Sequence, residues 1–484
     1  MKLAKRIVST INSHATFLIV FWIILLTILY STLAIVRHNH FESGGFDLGL
    51  YDQEVWQYSR FLVPYNTVKD ELILADHLNL TTPLVAPLFW IWNDVRMLLI
   101  FQSLWVTLSA LAIFSVAKIR KLTPAVSLAI AVIYSLFYGI QYMILFDFHA
   151  VAIGVGLLAW LCYFWETKRE KLFITTVLLL LLTQENMGIA LSCVSFLYMF
   201  RREYRVRALV LFVTGIIWTL IAARIIGSLS QGGFQYAPTI SSNPIRIATD
   251  FINSTEKRQV WLYTLTSFTL IPVFSIGAML AVGMDLAQYF VTGKNFARMW
   301  SPFMHHRAIL AVFLALGAIE VMTFLKKKHI NIGIVALILL LSCFAQQYVF
   351  HFPLNKLTKS TFWREEQWMR DDESMIARIP PTASIATQQS LIPHLSHRES
   401  IYLVWPRVHD IKSMPCGQLS CWWLDFGGHP QYLLIDLHPN EWLTQLLETN
   451  DHVAQALANM QKTGRIHLSQ KIGDTALYTV TNTR

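Results

Sequence analysis

Residues 172–200 read LFITTVLLLLLTQENMGIALSCVSFLYMF, and how this run divides decides the fold. The basic clusters KREK (168–171) and RREYRVR (201–207) flank it. Basic clusters between apolar segments mark loops held on the cytoplasmic side, so the run starts and finishes inside. TQENMG (183–188) splits it into two apolar halves of about a dozen residues, whereas a span needs about 20. A hairpin of half-length helices satisfies both the charge and the length. Such broken backbone at membrane depth is tolerated only where it faces protein or a wet cavity.

The rest of the chain has the same grain. Of 484 residues, 54% are hydrophobic and 14% charged, against about 25% charged in a soluble domain. The composition specifies a polytopic membrane protein. The net charge of +9 does not point to nucleic acid, because Lys and Arg fall in short clusters: the two above, MKLAKR (1–6), KIRK (118–121) and KKKH (326–329). With each placed inside, segment 17–36 goes out, 95–117 in, 124–145 out, 148–165 in, 207–226 out, 307–325 in and 331–350 out. Segment 17–36 is uniformly apolar, lacks a following cleavage site, and reads as a retained span. Residues 260–306 start and finish outside; Pro272 and Gly277 interrupt them, so a second hairpin or broken helix is expected. The expectation is an all-α polytopic domain over 1–350 with about eleven membrane segments by the length rule. It sits in the plasma (inner) membrane with the N-terminus cytoplasmic and the C-terminus outside.

The first outer loop is long, 37–94, and a second, 227–260, is rich in Gly, Ser, Asn and Pro. The tail, 351–484, is polar enough for a small extracytoplasmic α/β domain. A helix-like stretch (365–379) is followed by strand-like SIATQ (384–388), SIYLVW (400–405), YLLIDL (432–437) and TALYTV (475–480). No glycine-rich phosphate loop precedes a helix there, so no nucleotide site is expected. Cys162, Cys193 and Cys343 lie in apolar spans and read as core residues. Cys416 and Cys421 lie in the tail, where a local disulfide can persist; a zinc site lacks a second cysteine pair.

Ionisable groups beside or within spans are costly and therefore informative. Four clusters fall on the outer side: Asp47 and Asp52 in GGFDLGLYDQEVW (44–56), Asp76 and His77 in ADHLN (75–79), Asp147 and His149 in FDFH (146–149), and Glu185 in QEN (184–186). His305, His306 and Arg307 enter a long span from the same side. Plainer roles compete. Asp47 suits an N-cap for a helix starting at Leu48. Asp52 lies inside the expected helix 48–60, where capping does not account for it. Asp76 and His77 suit a surface pair, Asp147 a cap, and the other histidines headgroup-level positions. A turn within the membrane needs no acid, which singles out Glu185. Tyr51, Trp56, Tyr58, Trp90 and Trp92 read as an interfacial aromatic belt, with a sugar platform as the alternative.

GGFDLGLYDQEVW, ADHLNLTTPLVAPLFWIW (75–92), FDFHA (146–150) and TQENMG resemble, in order, successive blocks of the family called domain of unknown function 2079. IPPTASIATQQSLIPHLSHRESIYLV (379–404) and YLLIDL resemble its C-terminal segment. Gln184 departs from the Lys-Glu-Asp form of the third block, which removes a cation beside Glu185. That family is in turn remotely similar to the GT-C superfamily of integral membrane glycosyltransferases. The resemblance implies a GT-C-like fold, a polyprenyl-phosphate-linked sugar donor, an extracytoplasmic acceptor (glycan, lipid or protein) and a catalytic Asp in the first outer loop. Asp52 or Asp47 fills that position, and YDQEVWQYSR (51–60) favours Asp52.

On this reading the Asp is a general base and the anomeric centre inverts. The leaving phosphate needs cations, with Arg224, Arg246, Lys257, Arg258, Arg298 and Arg307 as outer-side candidates. Asp76, His77, Asp147, His149, Glu185, His306 and Arg307 are expected to bind substrate. Asp52, Asp76, His77 and Glu185 form a candidate ligand set for Mg, Mn or Zn, although their spacing matches no compact motif. Two other classes stay open. Broken helices with buried acids also build secondary transporters, but here the acids gather on one side and no duplicated halves are visible. A non-catalytic envelope assembly protein has no need of Asp52 and Glu185 near the membrane.

Overall fold

The computed structural model describes residues 2–409, 420–438 and 449–481. The chain divides into two compact units. The first comprises Met1–Ala34, Leu74–Thr81 and Leu99–Lys359; the second comprises Ile35–Ile73, Thr82–Leu98 and Ser360–Arg484. This differs from a boundary at 350/351. Most of the first outer loop belongs with the tail, and only 74–81 belongs with the helices. The reason is apolar burial: Phe41, Leu50 and Val68 of the loop share one core with Ile385, Leu403 and Leu434 of the tail.

Five helices in the described residues are long and apolar enough to cross a membrane: Thr10–Asn39, Arg96–Ile119, Arg205–Leu229, Phe296–Lys327 and Ile332–Val349. Pro124–Ser135 and Tyr138–Phe146, bent by 41°, make a sixth if taken as one span. The protein is therefore a multi-pass membrane protein. The remaining apolar segments are shorter helices, among them Ala150–Glu166 and Ile276–Phe290. The run 172–200 becomes Glu170–Leu181 and Met187–Met199, the half-length pair its interruption specifies.

The breaks persist because their freed carbonyls find donors. At the bend between Ser135 and Tyr138, Tyr30 donates to the Ser135 carbonyl (2.5 Å) and Gln141 Nε2 to that of Leu136 (2.7 Å). At the TQEN join, Trp218 Nε1 donates to the Leu181 carbonyl (2.7 Å) and the Leu80 amide to that of Leu182 (2.9 Å). Gly188 and Gly215 let their helices touch: a Cβ on either would lie within 2.4 Å of the other's carbonyl oxygen. Four basic clusters share one end of this unit. Glu166 pairs with Arg120 (2.5 Å) and Arg201 (2.7 Å), Arg207 with Glu170 (3.1 Å), and Lys326 Nζ reaches the Lys121 carbonyl (2.5 Å).

The second unit is built on a five-stranded sheet: β1 (Ile385–Thr387), β2 (Ile401–Leu403), β3 (Tyr432–Asp436), β4 (Ile466–Ile472) and β5 (Thr475–Val480), ordered β2-β1-β3-β5-β4. β1 is parallel to β2 and β3, and β5 is antiparallel to β3 and β4. Side chains alternate across the strands. Ile385, Leu434 and Leu477 face the core that holds Met375 of helix Gln367–Ile376 and the first-loop residues. Ala386, Leu433, Ile435 and Ala476 face the other side, under Val453, Ala456 and Leu457 of helix Asn450–Lys462. The expected strands are present; β4, helix Asn450–Lys462 and the hairpin of Trp405–His409 with Cys421–Asp425 were not anticipated.

Candidate functional site

In the first unit, the TQEN interruption holds Glu185 where the half-length helices meet. Thr219 Oγ1 donates to the Glu185 carbonyl (3.1 Å). Thr219 lies fourteen residues beyond Arg205 and ten before Leu229, so this level is about 21 Å from the basic end and about 15 Å from the other. Glu185 is 6% exposed. Its Oε1 pairs with His77 Nδ1 at 2.8 Å, and Gln184 Nε2 lies 3.3 Å from the same nitrogen. Its Oε2 is buried without a hydrogen-bond partner among the described residues. The His77 ring stacks on Tyr236, with centroids 4.8 Å apart and planes at 11°. The Tyr236 hydroxyl donates to Asp76 Oδ1 (2.9 Å). Burial, reinforced by the Asp76 charge and hydrogen bond, raises the Tyr236 pKa and keeps it a donor.

Other polar groups gather on the same centre. His149 stacks on His305, and His305 meets His306 edge-on, both at 3.9 Å. His306 approaches Tyr289 (5.1 Å), whose hydroxyl accepts from Asn186 Nδ2 (3.5 Å). His77 lies within electrostatic range of His305 and His306. The Nδ1 atoms of His305 and His306 are buried without partners among the described residues. Asp147, 2% exposed, holds φ 119°, a conformation that L side chains rarely adopt. Arg307 donates to the carbonyls of Met299 and Ser301 and lies over the Tyr289 ring (4.9 Å). Lys257 donates to the Phe290 carbonyl (2.8 Å) and sits 3.7 Å from the Trp300 ring centre. Two of the six candidate cations thus bind the chain around residues 290–301. ADHLN, FDFH, QEN and 305–307 converge; Tyr236 and Tyr289 join them without any local signal beyond an aromatic near a polar loop.

In the second unit, GGFDLGLYDQEVW has a structural grammar. Gly45–Gly49 winds as a π turn, with the Gly49 amide on the Gly44 carbonyl (3.1 Å), and runs into helix Leu50–Ser59. A Cβ at Gly45 would lie 2.5 Å from Gln389 Oε1, and one at Gly49 2.6 Å from Ile392 Cγ2. Bare backbone lets the tail loop seat here. Winding begins before Leu48 and the cap positions are Gly44 and Gly49, so Asp47 is not the expected N-cap. It lies half-buried within the π turn.

Asp52 is fully buried. Ser396 Oγ donates to its Oδ2 (2.5 Å), and His397 Nε2 pairs with its Oδ1 (3.0 Å). Beside it, Gln53 Nε2 donates to the carbonyls of Arg398 (3.2 Å) and Glu399 (3.3 Å), and Thr67 Oγ1 donates to that of Ile401 (2.5 Å). Glu54 accepts from Thr82 Oγ1 (2.5 Å). The Asp-Gln pair therefore reads the tail segment 396–399, and Thr67 extends the contact to Ile401. Arg398 donates to the Leu395 (2.6 Å) and Ala383 (2.8 Å) carbonyls, and burial pushes it down to about 10. Nearby, His394 stacks between His38 (4.1 Å) and Phe41 (4.2 Å), and burial pushes it down to about 4. Ser396 and His397 carry no sequence signal as partners of Asp52, because they lie at the far end of the chain from it.

Asp52 belongs to one unit and Asp76, His77 and Glu185 to the other. Among the described residues no group of three or more His, Cys, Asp or Glu side chains is arranged to hold a metal ion. Among the described residues, Asp52, Asp76, His77 and Glu185 therefore do not form a divalent-cation site. Cys421 is disulfide-bonded; Cys416, its expected partner, lies outside the described residues.

Spanning helices with a buried polar centre, joined in one chain to a strand-containing tail, define a multi-pass membrane protein with two acid–histidine pairs. The family model described as "Predicted membrane protein (DUF2079)" matches residues 37–445, and the chain belongs to that family. No curated protein matches it.

Proposed function

We propose that the protein is an integral membrane glycosyltransferase that moves a sugar from a polyprenyl-phosphate donor to an extracytoplasmic hydroxyl acceptor. The observation that supports this reading is the difference in burial between the two first-loop aspartates. Asp52 is sealed, with both oxygens engaged by Ser396 and His397. Asp47 is half-buried in a π turn that follows the first span closely, and π turns recur at functional sites. Asp47 is the general base and Asp52 a positioning residue. The acceptor oxygen attacks the anomeric carbon, its proton passes to Asp47, the carbon–phosphate oxygen bond breaks, and polyprenyl phosphate leaves with inversion. On this reading the tail lies outside the plasma membrane.

The test is transfer of label from polyprenyl-phosphate sugars in membranes carrying wild type, Asp47→Asn or Asp52→Asn. Asp47→Asn is expected to lose at least about 100-fold, the scale of general-base catalysis, with unchanged thermal stability. Full activity in a folded Asp47→Asn variant sinks the base assignment.

One observation favours a second reading. Glu185 keeps an open oxygen deep within the helical unit, which also contains a span bent by 41°, and secondary transporters build substrate sites from such parts. Solute uptake into vesicles by a wild type that transfers no label replaces the first reading with this one.

A further inference from the structure

The second unit leaves an apolar face uncovered. Thr82–Ile91 is a short apolar helical stretch. One side of it, Val85, Ala86 and Phe89, is buried. The other side is not: Leu84 is 67%, Trp90 61% and Ile91 79% exposed. The turn after helix Leu50–Ser59 adds Phe61 and Val63, 86% and 69% exposed. The Phe61 and Trp90 rings meet at 6.0 Å, so the two stretches form one patch. The patch is fixed in place. Trp90 Nε1 donates to the Ser59 carbonyl (2.7 Å), and Arg60 lies over Trp56 (4.5 Å) and donates to Asn93 (3.1 Å). Phe61 holds φ 59°, the left-handed region that favours glycine or asparagine. A turn facing water has no reason to hold phenylalanine there and point it outward.

Chain continuity identifies what covers this face. Ile91 lies five residues before Arg96, where a 24-residue apolar helix begins. Five extended residues reach at most about 18 Å, so the patch lies close to the point where the chain enters the bilayer. A ten-residue helix is about 15 Å long, half the thickness a span must cover. Thr82–Ile91 therefore cannot cross, and a contiguous apolar face of this kind marks a contact surface. We propose that Phe61, Val63, Leu84, Trp90 and Ile91 insert into the interfacial layer of the bilayer, with Arg60 at the level of the lipid phosphates. This patch is thus a lipid-embedded anchor within the first outer loop. The anchor is independent of whether the protein transfers sugars.

The test uses the full chain in lipid nanodiscs, with a small fluorescent amino acid in place of Phe61 or Ile91 and, as a water-facing control, in place of exposed Asp70. Val63 serves as the probe site if a Phe61 variant folds poorly. Lipids brominated in the upper acyl chain are expected to quench at positions 61 and 91 at least threefold more strongly than aqueous iodide, with the reverse at position 70. Iodide quenching at 61 and 91 equal to that at 70 overturns the proposal. Protection from both quenchers also overturns it and identifies a protein partner instead.

Discussion

Each unit buries a carboxylate against a histidine, and the two pairs differ in one respect. Asp52 has His397 on one oxygen and Ser396 on the other. Glu185 has His77 on one oxygen and no partner on the other among the described residues. A buried charge is stable only when its hydrogen-bonding capacity is met. The first pair meets that requirement and acts as a clamp on the tail. The second leaves it unmet, as a site does when it is built for something that comes and goes.

The contrast breaks most easily at Asp52. Asp52→Leu strands Ser396 and His397 and is expected to destabilise the second unit by about 3–5 kcal/mol, read as a lowered melting temperature. Asp52→Asn retains an acceptor and a donor and costs about 1 kcal/mol. Glu185→Gln makes the opposite prediction. It keeps a partner for His77 and is expected to leave stability within about 0.5 kcal/mol, while lowering solute uptake at least tenfold on the transporter reading. A large loss of stability there would make the two pairs alike. Gly49→Ala sharpens the clamp further. Its methyl would press on Ile392, costing about 2 kcal/mol, and the penalty should vanish in an Ile392→Ala background.

A further difference between the units is the pH response of the second. The folded pKa of His394, about 4, lies below the unfolded value of about 6.5. The neutral ring is favoured in the fold, so its contribution is complete above pH 6.5 and is lost as pH falls from 6.5 through 4. The loss is on the order of 2 kcal/mol, less than the full linkage value because the ring keeps some access to water. His394→Phe should flatten that part of the stability profile; an unchanged profile removes His394 as its cause.

Much of this was legible in the sequence because local patterns fix it. Apolar length and basic flanks predicted the half-length helices around TQEN, and the four strand-like segments of the tail are strands. The costly polar residues of ADHLN, FDFH, QEN and 305–307 are gathered in the first unit. Other features were not legible, because they depend on pairings across the whole chain. Read locally, Asp52 has no structural reason, yet its reason is Ser396 and His397 at the other end of the sequence. The loop 37–94 read as an appendage of the spans, but Phe41, Leu50 and Val68 complete the tail's core. Asp47 as a cap failed because a π turn moves the start of winding to Gly45.

That shared core also sets an order of events. Phe41, Leu50 and Val68 are synthesised early, whereas Ile385 and Leu434, with which they are finally buried, come late. At about 5–20 residues per second, the early residues wait roughly half a minute for the strands that cover them. During that interval the loop has an unfinished apolar surface and bare glycine backbone at Gly45 and Gly49. Maturation of the protein therefore includes a late, long-range closure step, and a chain that stops short of Ile385 leaves that surface open.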